Sequence, residues 1–181
     1  MTAFPSPETL PVLKIGAVVL RADTRDVLIV QPVPKRVGEV PAYVMPRGSR
    51  QYLHEDAWHD ARDAATGLQH QATLEPFERG LLREIEEEAG VTQAQVAQAQ
   101  VRDIGVRYFQ SRSKGVYPIY WFVVVLDARA AGDVVTRTPV DALHTCWAGL
   151  NEIQKMANRG EFSSGYLPII EEALDRVAGA L

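Results

Sequence analysis

The run Arg83-Glu84-Ile85-Glu86-Glu87-Glu88-Ala89-Gly90-Val91 constrains this chain more than any other stretch. Glu84, Glu87 and Glu88 stand at i, i+3 and i+4, so on a helix of about 3.6 residues per turn they leave from one face. Phe77, Leu81 and Ile85 form an apolar stripe beside them. Gly90 stands where a helix stops in the left-handed conformation that glycine adopts without a Cβ clash, while Pro76 suits the first turn and Thr73 the cap. A fold containing this helix must cover the stripe with a sheet and leave the acids at its edge. Three carboxylates on one face repel one another unless something positive sits among them. Hard divalent cations take oxygen ligands, and Mg²⁺ is usually held by a few carboxylates together with substrate phosphates. The spacing therefore reads as a metal–phosphate site. The plainer reading, a solvated acidic face, does not explain the register of Arg83, Ile85, Gly90 and Val91.

These residues match, at every defined position, the second half of the Nudix box, Arg-Glu-aliphatic-x-Glu-Glu-x-Gly-aliphatic. Glu75 lies eight residues before Arg83, where the box places its upstream glutamate. The chain thus resembles the Nudix hydrolases, which cleave a nucleoside diphosphate linked to another group. One element departs from the pattern: Gln69 stands where the box has its glycine. Val44-Met45-Pro46-Arg47-Gly48 resembles the proline-x-glycine turn that opens the box, so Gly48 takes that place. The 26 residues 49–74 then stand where the pattern has five.

The resemblance implies an α/β fold, a Nudix-type α/β/α sandwich with a mixed central sheet. It implies Mg²⁺, with Mn²⁺ as the alternative, held by Glu84, Glu87, Glu88 and the Gly48 carbonyl. Arg83 and Glu75 hold the glutamates in place, and either Glu84 or Glu87 is the base; Glu86, off the shared face, is solvated. Arg47 and the cluster Arg107, Arg112 and Lys114 are candidate phosphate ligands, since arginine offers forked donors and lysine a point charge. Cations in a hairpin loop are also commonly only solvated. Tyr108 lies where dinucleoside polyphosphate hydrolases of the family carry a base-stacking tyrosine, but it also continues the alternation Ile104, Val106 of a buried strand. The proline that marks ADP-ribose pyrophosphatases is missing, as is the upstream signature of coenzyme A pyrophosphatases. The substrate leaning is to dinucleoside polyphosphates or diphosphoinositol polyphosphates. ADP-ribose, nucleotide-sugar or oxidised-nucleotide hydrolysis and a non-catalytic nucleotide-binding module are the rivals. Asp127 and Asp133, after the box, read as ordinary turn acids, and His54, His59 and His70 as part of a polar face.

A chain of 181 residues with 46% hydrophobic content supports one domain with a real core. Net charge is −4, which gives no footprint for a nucleic-acid polymer, a capped 5′ end being the exception the family allows. The expected partner is a small phosphorylated molecule, with a homodimer left open. Cys146 is the single cysteine, so an internal disulfide is excluded and a reducing cytoplasm is the expected setting. The first residues lack the charged and apolar regions of a signal peptide, and no apolar run approaches the length of a membrane span.

Along the chain, residues 1–11 read as a proline-containing arm. Val12–Leu20 and Val27–Val30 read as a hairpin about a turn at 22–26, and Tyr43–Met45 as a short strand. Within 49–74, Leu53, Ala57, Ala61 and Ala65 recur every fourth residue, which predicts a short amphipathic helix. Val101–Phe109 and Val116–Leu126 read as strands, with Pro118 marking an edge or a bulge. Trp147–Leu150 reads as a short strand, and Leu167–Ala178 as the last helix, with Ile170, Leu174 and Val177 inward.

Overall fold

The computed structural model describes residues 14–54, 57–60, 74–111, 115–134 and 142–178. The expected arm at 1–11, Thr73, His70, Arg112 and Lys114 lie outside these residues. Eight strands are present among the described residues: β1 (Lys14–Arg21), β2 (Val27–Pro32), β3 (Arg47–Ser49), β4 (Gln51–His54), β5 (Ala57–Asp60), β6 (Gln100–Ser111), β7 (Gly115–Leu126) and β8 (Ala142–Ala148). The helices are α1 (Phe77–Ala89), α2 (Gln93–Val96), α3 (Ala128–Val134), α4 (Leu150–Asn158) and α5 (Leu167–Ala178), the last preceded by a 3₁₀ turn at Ser164–Tyr166.

The central sheet runs β6-β7-β1-β2-β8, with β3 also paired to β1. It is mixed: β1 and β7 are parallel, and the other pairings are antiparallel. On its second side β1 has two partners. Its first residues pair with β3 (Ile15 with Gly48, Gly16 with Arg47), and only its far end pairs with β2 (Leu20 with Val27). Helices cover both faces, as the α/β/α expectation requires. That is why Ile15 to Leu20 reads as an unbroken apolar run: a central strand buried on both faces has no polar side to alternate with.

α1 crosses this sheet and touches one strand after another. Phe77 stacks on Tyr120 of β7, with ring centroids 4.3 Å apart. A Cβ on Gly80 would lie 2.3 Å from Cδ1 of Ile15 in β1, and a Cβ on Gly48 in β3 would lie 1.6 Å from Oε2 of Glu84. Tyr120, Ile15 and Gly48 are themselves one row across the sheet. The helix thus lies close on the sheet because two glycines leave room, and the sheet edge at β3 meets the helix at Glu84. The helix ends as its sequence dictates: Gly90 has φ 70°, and its N–H donates to the Glu86 carbonyl while that of Val91 donates to Ile85. Pro76 sits one position earlier than expected, as the N-cap rather than inside the first turn.

The predicted helix over 53–65 is a correction. Gln51–His54 and Ala57–Asp60 are strands of a two-stranded antiparallel hairpin, with Tyr52 opposite His59 and Leu53 opposite Trp58; residues 61–65 are outside the described set. The four-residue recurrence contained only one large apolar side chain, whereas the aromatic residues Tyr52 and Trp58 favour a pleated surface. Tyr52 and His59 stack at 5.5 Å, and the guanidinium of Arg79 in α1 lies 4.1 Å over Trp58. Pro118 is the second adjustment. It is buried inside β7 but precedes the stretch, from Tyr120 onward, that pairs with β1, so the missing N–H is tolerated there. In the β6–β7 pair the bulge lies instead in β6, between Asp103 and Gly105, where Gly105 has φ 89°.

Candidate metal–phosphate site

Arg83 is the hub of the site. Its Nη2 donates to Glu75 Oε1 at 2.7 Å and to the Ser49 carbonyl at 2.7 Å, and its Nη1 donates to Glu84 Oε1 at 2.7 Å and Glu87 Oε2 at 3.0 Å. The four acceptors come from three segments: β3, the residue pair before α1, and two successive turns of α1. Burial grades the acids. The Glu75 side chain is fully buried, that of Glu84 is 8% exposed and that of Glu87 is 38% exposed. Glu86 is exposed on the helix's outer side, as its phase predicts, and Glu88 is intermediate.

Electrostatics follow from this grading. Burial pushes the Glu84 carboxyl up to about 7, against the opposing pull of Arg83. For Arg83, burial disfavours the charge, but the hydrogen bond to Glu75 and the charges of Glu84 and Glu75 outweigh it and raise the pKa. The contact favours the charged form of both partners; burial outweighs it at Glu84 and is outweighed at Arg83. The geometry accounts for both, because one guanidinium serves three carboxylates and engages only one oxygen of Glu84, whose Oε2 is pressed against Gly48.

The 26-residue excursion is closed at its root. The Glu75 N–H donates to the Gln51 carbonyl at 2.9 Å, and the Gln51 N–H donates to Glu75 Oε1 at 2.8 Å. Tyr52 and Leu74 continue this as an antiparallel bridge. Arg50 adds two bonds from its guanidinium to the Glu75 carbonyl, at 3.0 and 2.5 Å. Gly48 and Glu75, far apart in sequence, thus sit on neighbouring, hydrogen-bonded chain segments.

No protein-family model matches this chain, and no curated protein matches it by sequence. In three dimensions it resembles an Ap4A hydrolase of C. elegans, solved as a binary complex, at 16% identity and TM-score 0.60, over 93% of this chain and 98% of that one. The Nudix domain of Shewanella oneidensis NrtR, in complex with ADP ribose, matches at 16% identity and TM-score 0.57, over 97% and 94%. A MutT protein from Methanosarcina mazei matches at 14% identity and TM-score 0.55, over 94% and 97%.

The chain has the Nudix fold.

The resemblance read from the box is therefore borne out at the level of the fold, and α1 is the helix that carries the run from Arg83 to Ala89. Glu84, Glu87, Arg83 and Gly48 are brought together, with Glu88 one residue along the same helix. The other candidates lie elsewhere. The Arg47 guanidinium is on the opposite face of β3, 5.4 Å over the ring of Tyr166, with a buried Nε that has no partner among the described residues. Arg107 is forked onto Glu172 of α5, Nε to Oε2 at 3.0 Å and Nη2 to Oε1 at 2.5 Å. Tyr108 pairs with Pro118 in β7, and Phe109 rather than Tyr108 joins the aromatic core with Trp121 and Tyr166. β6 lies three strand spacings from β3, about 14 Å at the usual separation, so Arg107 and Tyr108 do not touch the acids. Asp127 caps α3 by accepting the Ala130 N–H at 2.7 Å, as a turn acid should.

Sequence reasoning missed Arg50, the Gln51 N–H and Gly80. For Gly80 there was a signal, since a glycine inside a helix costs about 1 kcal/mol relative to alanine and implies close packing. Nothing in the sequence pointed to Gln51, because its contribution is a backbone group.

The donor set suits a hard divalent cation: carboxylate oxygens, with Arg83 leaving Oε2 of Glu84 and Oε1 of Glu87 outside its hydrogen bonds. Among the described residues, no three His, Cys, Asp or Glu side chains converge closely enough to enclose an ion as they stand. The guanidinium drawing Glu84 and Glu87 towards itself accounts for this, and the more exposed Glu87 keeps the rotamer freedom to turn away from it. A groove of about 710 Å³ along the outer side of α1 reaches the site at Arg83 and Glu87 only; hydrogen bonds, not cavity walls, gather the acids.

Gly48→Ala tests the close approach. The added methyl displaces the Glu84 carboxylate, which is buried and bound to Arg83, so the fold should lose about 1–3 kcal/mol. Mn²⁺ affinity should fall much more, by about tenfold or greater if the Glu84 carboxylate is a ligand. Thermal melts with a parallel Mn²⁺ titration read both; unchanged affinity would remove Glu84 from the metal's ligands.

Proposed function

We propose that this chain is a divalent-metal-dependent hydrolase of a phosphoanhydride bond in a nucleoside diphosphate-linked or related polyphosphate compound, acting as a single domain. The observation that carries the reading is the Arg83 hub: Glu75, Glu84 and Glu87 meet beside Gly48 although 26 residues intervene between the two ends of the box.

Glu84, Glu87, Glu88 and the Gly48 carbonyl are the groups to hold the cation, Mg²⁺ or Mn²⁺. A cation bound there supplies positive charge to the diphosphate and acidifies a nearby water. Arg83 and Glu75 orient these carboxylates, an outer layer of support of the kind that usually fixes metal ligands. Glu84 or Glu87 takes the proton of the water that attacks phosphorus as the bridging P–O bond breaks. Arg47 is next to Gly48 in the chain, but it can serve a phosphate beside the acids only by leaving the Tyr166 ring on the opposite face of β3. Arg107 can serve a phosphate only in competition with Glu172.

The substrate reading is dinucleoside polyphosphates or diphosphoinositol polyphosphates, with ADP-ribose, nucleotide sugars and oxidised nucleotides as alternatives. Similar folds that are named for Ap4A hydrolysis, or solved with ADP ribose, support this general range. No helix among the described residues is long and apolar enough to cross a membrane. The rival is a module that binds a nucleotide without cleaving it, and the retention of every box acid favours catalysis.

Purified protein with Mg²⁺ should release phosphate species from one class in a panel of diphosphate compounds. Excess chelator should abolish turnover, and added Mg²⁺ should restore it. Turnover undiminished in chelator would overturn the metal role, and saturable binding without turnover would establish the non-catalytic rival.

A further inference from the structure

We propose that Arg50 is a positioning residue for the acidic helix: it clamps the Glu75 backbone so that the Glu75–Arg83 pair holds Glu84 and Glu87 in register with Gly48. The inference rests on the reading above that these acids hold a cation.

Arg50 is tied on two sides. Its guanidinium edge donates twice to the Glu75 carbonyl, at 3.0 and 2.5 Å. Its flat face lies 4.2 Å over the ring of Phe77, the first residue of α1. Phe77 in turn stacks on Tyr120 at 4.3 Å and 24°, and the Tyr120 hydroxyl donates to Asp103 Oδ2 at 2.5 Å. Asp103 is itself fixed at the β6 bulge by accepting the Gly105 N–H. The result is a column, Asp103–Tyr120–Phe77–Arg50, standing on the sheet and ending on the backbone that enters the helix. A planar, always-charged guanidinium can stack and fork at once, which an ammonium cannot.

The column points at the site through Glu75. The carbonyl of that residue takes Arg50, and its Oε1 takes the Gln51 N–H and Arg83 Nη2. A shift of the Glu75 backbone therefore moves the oxygen on which Arg83 is anchored, and Arg83 is the shared donor to Glu84 and Glu87. In an uninterrupted box a five-residue loop would hold these parts together. Here the chain leaves at Ser49 and returns at Leu74, and Arg50 provides the tie across the gap.

The test uses the full-length chain, with Mn²⁺ as the probe and the best substrate of the panel. Arg50→Ala should weaken Mn²⁺ binding and lower kcat by about 10- to 100-fold, the usual effect of removing a support behind metal ligands, with KM nearly unchanged. Amide hydrogen exchange at Gln51 should accelerate, because its acceptor is no longer held. Arg50→Lys keeps the charge and one donor but not the fork, so it should recover part of each effect. Phe77→Leu, which leaves Arg50 in place and removes its stacking surface together with the Phe77–Tyr120 stack, should show the same pattern more weakly, and with a matched melt it guards against loss of folding in the alanine variant. Wild-type protein that binds Mn²⁺ and turns over, beside a folded Arg50→Ala variant with equal Mn²⁺ affinity and kcat, overturns the inference alone. Wild-type protein that neither binds Mn²⁺ nor turns over overturns the functional reading and this inference with it.

Discussion

Replacing Arg83 by methionine should destabilise the fold by about 3–5 kcal/mol, because it leaves buried carboxylates without their counter-charge. Glu75 is fully buried and Glu84 nearly so, and each takes a 2.7 Å bond from this one guanidinium. The loss should depend on pH with a definite sign. In the wild type the Glu84 carboxyl is already raised from 4.5 to about 7 by burial, so its contribution to stability is full below about 4.5 and is lost as pH rises through about 7. Without Arg83, which acts to lower that value, the carboxyl moves higher still and the penalty on its ionised form grows. Urea melts of both proteins at about pH 5 and about pH 8, without divalent metal, should therefore show the larger difference at the higher pH. Equal differences would show that packing of the arginine stem, not charge, sets the cost.

The second large effect is on turnover. Glu87→Gln and Glu88→Gln should each lower kcat by roughly 10²–10³-fold, the scale seen when one group stabilising transition-state charge is removed. Glu86→Gln should leave kcat nearly unchanged, since Glu86 is exposed off the shared face. All three substitutions remove one negative charge from the same helix, so a general field effect would treat them alike. Glu87→Gln also loosens one of Arg83's bonds, at 3.0 Å, but at a residue exposed enough for melting temperatures to change little. Steady-state kinetics with matched melts separate the two. Three equal losses would mean that the helical phase does not organise the site.

The parts that were legible in the sequence are those whose signal is local. The helix that carries Glu84 and Glu87, the stop at Gly90 and the span of α5 each depend on neighbours within a few residues, and each is found where expected. The apolar runs of β1 and β7 read as strands, and strands they are. What was misread depends on pairing across the chain. The Leu53, Ala57, Ala61, Ala65 recurrence says nothing about Trp58 meeting Arg79, which is the contact that seats the hairpin on α1. The short helix α2 was overlooked although Thr92 and Gln95 form a capping box. Arg107, a candidate phosphate ligand by its place in the basic cluster, acquires Glu172 as its partner only because α5 folds back over β6. Arg50 was silent for the same reason: Phe77 and the Glu75 carbonyl, which it contacts, are more than twenty residues away.

The closed root of the 49–74 segment has a further meaning in terms of chain entropy. Lengthening a loop from five residues to 26 adds only about 1.5 kcal/mol to the cost of bringing its ends together, because that cost grows with the logarithm of length. The reciprocal Gln51–Glu75 hydrogen bonds and the Arg50 fork are of the right size to offset it, at about 1 kcal/mol net for each bond. Once the ends are fastened in this way, the placement of Gly48 beside Glu75 and Arg83 is insensitive to how much chain departs between them. The geometry at 48, 51 and 75, not the number of residues between, then sets the shape of the site.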